Sequence, residues 1–296
     1  HGQAGSPITF GLKAATWADE LDRQAQRISA GMARWSVGQL AGATGAMGFF
    51  DGRGGELRGR LCARLGLEDP GISWTSTRDR VAEFGTTMAG VCGTLARIGN
   101  EVYELQRTGI GELREARSAA TVGSITMPHK RNPECSEHLD TLARVCRAAA
   151  SVLMEAQVAA HERDGRAWKS EWFALPEVAL CSAAAARQGV ALLSALEVDE
   201  QAMWRNLTSD GAWASQQVLV KLSDRLGKHR AQALMQEVFV RIGSVPAEEM
   251  AIAIAESTGI DLDDVRGWMH TPDIREAAAM VDDTVARLRH ETGARP

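Results

Sequence analysis

Apolar positions along this chain recur at helical spacing, and nowhere do they alternate long enough to predict a strand. Between about Leu12 and Leu40, Trp17, Leu21, Ile28, Met32 and Trp35 fall on one face of a predicted helix. The clearest run comes next. Val81, Phe84, Met88, Val91, Leu95, Ile98, Val102 and Leu105 step by three and four without a break, a heptad seam that predicts packing against long neighbours. Ala89, Gly90, Gly93 and Ala96 flank that seam, where small side chains let helices approach closely. Leu139, Leu142, Cys146, Ala149 and Leu153 give another helical face. A third predicted helix starts with Pro176 in its first turn, where a missing N–H is tolerated, and runs through Val178, Cys181, Val190 and Leu193 to Leu196. Residues 49–75, rich in Gly, Arg and turn signals, read as an excursion between helices.

From Asn206 the pattern shortens. Gly227, Gly243, Pro246, Gly259 and Pro272 separate brief helical stretches. Pro246 opens one through Glu248 and Met250 to Ala255, and Pro272 opens another through Ile274 to Leu288. The predicted fold is all-α: an elongated bundle of long helices with a smaller C-terminal helical domain. Residues 1–215 are expected to form the bundle domain, incomplete at its start, and residues 216–296 the C-terminal domain. Helices of this length cannot bury their stripes in a lone small domain, which predicts completion of the bundle by other subunits.

Composition narrows the function classes. The chain has 296 residues and a net charge of -5, with basic residues scattered among acids, so no electrostatic footprint for nucleic acid is present. No apolar run approaches the length of a membrane span, and no membrane partner is expected. The five cysteines form no CxxC pair, which points to reduced thiols in a cytoplasmic protein. Cys92 and Cys181 sit in small-residue stretches as small hydrophobes. Cys135 is either a similar inert thiol or a reactive one. No HxxxH or HExxH spacing occurs, and neither a metal nor another cofactor is expected.

The densest chemistry lies in Gly123-Ser124-Ile125-Thr126-Met127-Pro128-His129-Lys130-Arg131-Asn132-Pro133. Pro128 and Pro133 disfavour helix at the residues before them, so this is predicted to be a loop. Abstracting a proton beside a carboxylate creates a very basic carbanion. An enzyme then needs a base, together with cationic or hydrogen-bonding groups for the dianionic carboxylate that develops. Lys130 offers a point charge and Asn132 offers amide donors. Ser124 serves as a base only if cations or backbone N–H groups lower its pKa.

This stretch resembles the signature loop of the fumarase/aspartase superfamily, Gly-Ser-Ser-x-Met-Pro-x-Lys-x-Asn-Pro, with Ile125 in place of the second serine. That exchange removes a hydroxyl beside the base and places an apolar, β-branched side chain there. The resemblance implies that Ser124 abstracts the proton. It also implies that a His, here His1, is oriented by a Glu four residues after the closing Pro, here Glu137. The other reading of Glu137 is a first-turn acid favourable with the helix dipole. His1-Gly2-Gln3-Ala4-x-x-Pro7-x-Thr9 resembles an interior element of the superfamily, which implies that an N-terminal domain precedes it there. Gln3 and Thr9 are candidate donors to a substrate carboxylate, although Thr9 equally suits a helix N-cap.

A third region, His161-Glu162-Arg163-Asp164-Gly165-Arg166-Ala167-Trp168-Lys169-Ser170-Glu171-Trp172 with Leu175-Pro176-Glu177, is similar to the branch containing 3-carboxy-cis,cis-muconate cycloisomerase. There Arg163, Arg166 and Lys169 are candidates for a second anionic group. Adenylosuccinate lyases resemble this region but carry an Asp-Ser-Ser run that is absent here. Membership implies a homotetramer with shared active sites, acting on a small dicarboxylate. The expected reaction is β-elimination from a substituted succinate to give fumarate, with a nitrogen-linked, compact leaving group. Cycloisomerisation is the alternative, and a non-catalytic structural relative is the third reading.

Overall fold

The computed structural model describes residues 5–116, 126–127 and 129–293, apart from the Thr292 side chain. Among these the chain is helical, with two strands of two residues each. In order the elements are α1 (Phe10–Trp35), α2 (Gly54–Leu65), α3 (Asp79–Gln106), β1 (Leu113–Arg114), α4 (Glu134–Glu155), α5 (Gly165–Ser194), β2 (Glu197–Val198) and α6 (Glu200–Leu207). Four short helices follow, α7 (Ser215–Leu226), α8 (Lys228–Ile242), α9 (Ala247–Thr258) and α10 (Leu262–Trp268), before α11 (Arg275–Gly293). The all-α expectation holds. Two compact units emerge: residues 17–108 with 113–197, and residues 1–16 with 109–112 and 198–296.

The first unit is built on α3, α4 and α5. Leu139, Ala143, Cys146, Ala150 and Leu153 of α4 are buried at steps of four and three, and Val178, Cys181, Ala185, Gly189 and Leu192 do the same for α5. On α3 the buried stripe combines the expected Leu95, Ile98 and Val102 with Ala82, Gly85, Cys92, Ala96 and Gly99. The small residues set the spacing. A Cβ on Gly85 would lie 2.7 Å from Leu153 Cδ1, and one on Gly189 would lie 2.7 Å from Leu95 Cδ2. These contacts also give direction: α4 runs antiparallel to both α3 and α5. Gly85 meets Leu153 while Gly99 meets Leu139. Along the other pair, Cys135 Sγ donates to the Gln188 carbonyl, and Cys146 Sγ approaches that of Val178.

Gly99 and Gly93 make a direct test of this packing. At Gly99 a Cβ would meet Leu139 Cδ1 at 3.2 Å and the Ser136 Cα at 3.3 Å, and a backbone atom cannot swing away. At Gly93 it would meet nothing within 4 Å. Alanine gains up to about 1 kcal/mol of helix propensity at either position, but overpacking costs about 1–3 kcal/mol. Gly93→Ala is therefore expected to raise the urea midpoint and Gly99→Ala to lower it. Equal midpoints would mean that α3 and α4 do not pack this closely.

Two elements differ from the sequence reading. The stretch 49–75 contains α2, despite three glycines within it. Cys62 is buried against Gly38, and Gly66 closes α2 in the left-handed region (φ 66°) with its N–H directed to the Ala63 and Cys62 carbonyls. The second difference is larger. Pro176 does not open a helix; it lies inside α5, which begins eleven residues earlier at Gly165. Asp164 is the N-cap, and its carboxylate accepts the Arg166 N–H at 2.9 Å. Buried Glu171, Ala174 and Val178 bracket the exposed proline, so packing holds the helix through a residue that supplies no N–H.

In the second unit, Val218 and Leu222 of α7, Met235 and Val238 of α8, Met250 and Ile254 of α9, and Val265 of α10 share one core. Gly227, Gly243 and Gly259 adopt φ of 79°, 67° and 69° at its helix boundaries, and Pro246 is the N-cap of α9. The sequence punctuation and the helix ends coincide there.

Candidate active site

Ser124, Ile125, His1 and Gln3 lie outside the described residues. Lys130 and Asn132 lie within them, on the non-helical stretch that leads into α4. The Lys130 N–H donates to the Met127 carbonyl at 2.9 Å, which makes a turn of this segment. Both side chains are exposed, and among the described residues neither is bonded to a protein group. Between them, the Arg131 carbonyl accepts from Gln106 Nε2 at 3.0 Å, and the Arg131 guanidinium pairs with Glu197 at 3.2 Å.

The N-terminus of α4 is capped from a distance. Pro133 occupies the N-cap position and has no side chain that can accept a hydrogen bond. The Glu115 carboxylate takes that role, accepting the Cys135 N–H at 3.0 Å, the Ser136 N–H at 2.7 Å and the Ser136 hydroxyl at 2.6 Å. A negative group there is also favoured by the helix dipole. The Cys135 thiol is pushed up to about 11, first by burial and then by the charge of Glu115. That shift disfavours the thiolate. All five cysteines are free, and Cys92, Cys146 and Cys181 are buried together in the α3–α4–α5 core.

Glu137 sits in the first turn of α4, exposed, with its N–H donating to the Pro133 carbonyl at 3.0 Å. Thr9 acts as a cap: its Oγ1 accepts the Leu12 N–H at 3.0 Å. That bond leaves the hydroxyl proton free to donate.

The third region surrounds the start of α5. Arg166 clasps Asp164 through Nε at 3.0 Å and Nη2 at 2.7 Å, and this pairing holds the Asp164 carboxyl well below the usual carboxylate range. Much of the Arg166 charge is thus already answered. The Arg163 guanidinium stacks over the Trp168 ring at 4.1 Å and reaches the Ala43 carbonyl at 3.4 Å. Glu171 is not a ligand-facing acid, because it is buried in an ion pair with Arg78, whose Nε donates at 2.7 Å.

The helices separate these two groups within one chain. Lys130 and Asn132 precede the N-terminus of α4, whereas Arg163 and Arg166 follow its C-terminus. The 22 residues of α4 at 1.5 Å each span about 33 Å. A small dicarboxylate is far shorter than that helix.

A family model described as lyase matches residues 1–148. The chain belongs to the fumarase/aspartase superfamily. This superfamily member is 35% identical over 297 residues to N-acetyl-S-(2-succino)cysteine lyase of Dickeya dadantii (strain 3937), covering 99% of this chain and 65% of that protein. It is 33% identical over 302 residues to 3-carboxy-cis,cis-muconate cycloisomerase of Pseudomonas aeruginosa, again covering 99% of this chain and 65% of the relative. The solved 3-carboxy-cis,cis-muconate lactonizing enzyme from Pseudomonas putida superposes with a TM-score of 0.85 at 29% identity, over 98% of this chain and 65% of that one. The chain thus spans just under two thirds of the length of these relatives.

The sequence reading missed Gln106, Glu115 and Asp164. Asp164 carried a local signal, an N-cap acid ahead of a helical stretch. Gln106 and Glu115 carried none, because they bond to each other across nine residues and to the signature and α4 across twenty or more.

Proposed function

We propose that this chain forms part of a lyase that removes the proton alpha to a carboxylate of a 2-substituted succinate and expels the substituent to give fumarate. Ser124 is the base. Lys130 and Asn132 meet the carboxylate on which negative charge develops, and His1, oriented by Glu137, manages proton transfer at the leaving group. Gln3, Thr9, Arg163 and Arg166 hold the remaining anionic groups, with Arg166 the weaker contributor because Asp164 already engages it. The observation that carries this reading is the pair of exposed donors Lys130 and Asn132, bonded to no protein group among the described residues and held on either side of an anchored Arg131 carbonyl.

For the leaving group we choose a sulfur-linked substituent over the nitrogen-linked one expected from sequence. The relative from Dickeya dadantii bears the name of a succinocysteine lyase, and its similarity runs through 99% of this chain. A thiolate also departs without prior protonation far more readily than an amine does, since a free thiol has a pKa of about 8.5. Cycloisomerisation is the second reading, supported by the likeness to the two muconate-pathway enzymes.

We further propose self-association, with each site drawn from more than one subunit. The placement of Lys130 before α4 and Arg163 after it, with about 33 Å of helix between them, supports it. So does the surface of α5, where Trp172, Phe173, Leu180 and Val190 are 65–81% exposed on one long helix. A second copy of this chain is the occupant that would both cover that face and supply the missing end of the site. The free thiols fit a cytoplasmic setting. No helix among the described residues is long and apolar enough to cross a membrane.

The test is fumarate formation, followed by absorbance, from a panel of S-(2-succino)thioethers, N-linked succinates and 3-carboxy-cis,cis-muconate. The expected result is the highest kcat/KM for a thioether. Preference for an amine-linked member would reassign the leaving group, and turnover of the muconate alone would make the protein a cycloisomerase. No turnover of any member would leave the non-catalytic reading standing.

A further inference from the structure

Gln106 ties together two points, Glu115 and Arg131, that lie sixteen positions apart along the chain. Its Oε1 accepts the Glu115 N–H at 2.7 Å, and its Nε2 donates to the Arg131 carbonyl at 3.0 Å. The amide orientation is dictated by the partners: flipped, it would set N–H against N–H and oxygen against oxygen. Glu115 then continues the connection by capping α4 at Cys135 and Ser136, through three hydrogen bonds to a single carboxylate. The end of α3, the strand residues before Glu115 and the start of α4 are thereby fixed to one another around the Lys130–Asn132 stretch.

We infer that Gln106 and Glu115 are positioning residues, which hold Lys130 and Asn132 where the developing dianion needs them. The inference rests on the proposed role of those two side chains. The physical case is the place of the tie. Arg131 is the residue between Lys130 and Asn132, so anchoring its carbonyl fixes the backbone from which both donors project. The Glu115 cap fixes α4 three residues further on, and Pro133 between them adds a restricted φ. Both side chains of the pair remain exposed while their backbone is held. Donors arranged in advance stabilise a transition state without reorganising at the moment of reaction. A loosened tie should thus appear in kcat rather than in KM.

The variants that separate the two ends are Gln106→Ala and Gln106→Glu. The first removes both bonds. The second keeps an acceptor for the Glu115 N–H and sets a carboxylate oxygen against the Arg131 carbonyl. In hydrogen exchange on the full chain, the Glu115 amide should exchange at least about tenfold faster in Gln106→Ala and near the wild-type rate in Gln106→Glu. With the best substrate of the panel, both should lose about tenfold to a hundredfold in kcat with little change in KM, the scale expected of a displacement near 1 Å. Glu115→Asp, which retains a carboxylate acceptor, should lose less kcat than Glu115→Ala.

An unchanged Glu115 amide in Gln106→Ala would show that the tie does not exist in solution. A broken tie with kcat within about twofold of wild type would remove its positioning role. Lys130→Met, assayed beside them, reports on the underlying reading: full activity there means that the Lys130 stretch does no chemistry, whatever Gln106 holds.

Discussion

Ser124→Ala is expected to abolish exchange of the proton alpha to the substrate carboxylate while leaving the fold intact. General bases contribute about a hundredfold to ten-thousandfold to such steps, and no other hydroxyl in the signature aligns with the family's base. Exchanging a hydroxyl for hydrogen deletes no apolar side chain from the core, so the urea midpoint should shift little. The measurement is solvent-deuterium incorporation into substrate by NMR, made alongside fumarate formation. Two results would separate base from bystander. Loss of both reactions assigns proton abstraction to Ser124. Retained deuterium exchange with lost fumarate would assign the base elsewhere and leave Ser124 a role in expelling the leaving group.

What the sequence made legible follows from how far each interaction reaches. The seam from Val81 to Leu105 specified α3 almost to the residue, because a run of apolar steps of three and four has no other regular solution. The seam did not reveal that Gly85 and Gly99 would join the buried stripe, since which flank packs is decided by the neighbouring helices. For α2 the local signal pointed the wrong way. Gly54, Gly55 and Gly59 each cost helix propensity, and the burial of Cys62 against Gly38 outweighs them. Pro176 was misplaced for a related reason: proline favours a first turn, but an exposed proline is tolerated mid-helix where buried residues on either side hold the chain.

The candidate site divides in the same way. Lys130, Asn132 and Glu137 could be proposed from sequence because a motif fixes them by spacing over fifteen residues. Their support could not. Glu115 stands where an N-cap side chain would ordinarily act, yet it reaches α4 from before the signature, so no window around Pro133 contains it. Thr9 shows the converse. Its sequence allowed two roles, and the hydrogen bond to the Leu12 N–H fills one of them without consuming the proton needed for the other.

Lys130→Met should lower kcat/KM by about a hundredfold to a thousandfold, the loss of roughly 3–4 kcal/mol that follows removal of one preorganised donor. The loss should lie in kcat, because the ammonium is worth most when the carboxylate carries its second charge; a rise confined to KM would restrict Lys130 to docking the substrate. The same variant also tests how the sites are composed. Lys130 precedes α4 and Arg163 follows it, with a helix of about 33 Å between them, so one chain is not expected to offer both to one substrate. Mixed with Arg163→Ala under conditions that allow subunit exchange, Lys130→Met should regain kcat/KM above the mean of the two parents, as some sites draw both wild-type residues from different chains. Mixed with Ser124→Ala it should regain nothing, since six positions separate those two residues on one segment and every hybrid site stays defective. Recovery in both mixtures would place Ser124 and Lys130 in different sites. Recovery in neither, with exchange confirmed by mass, would confine each site to a single chain and remove Arg163 from it.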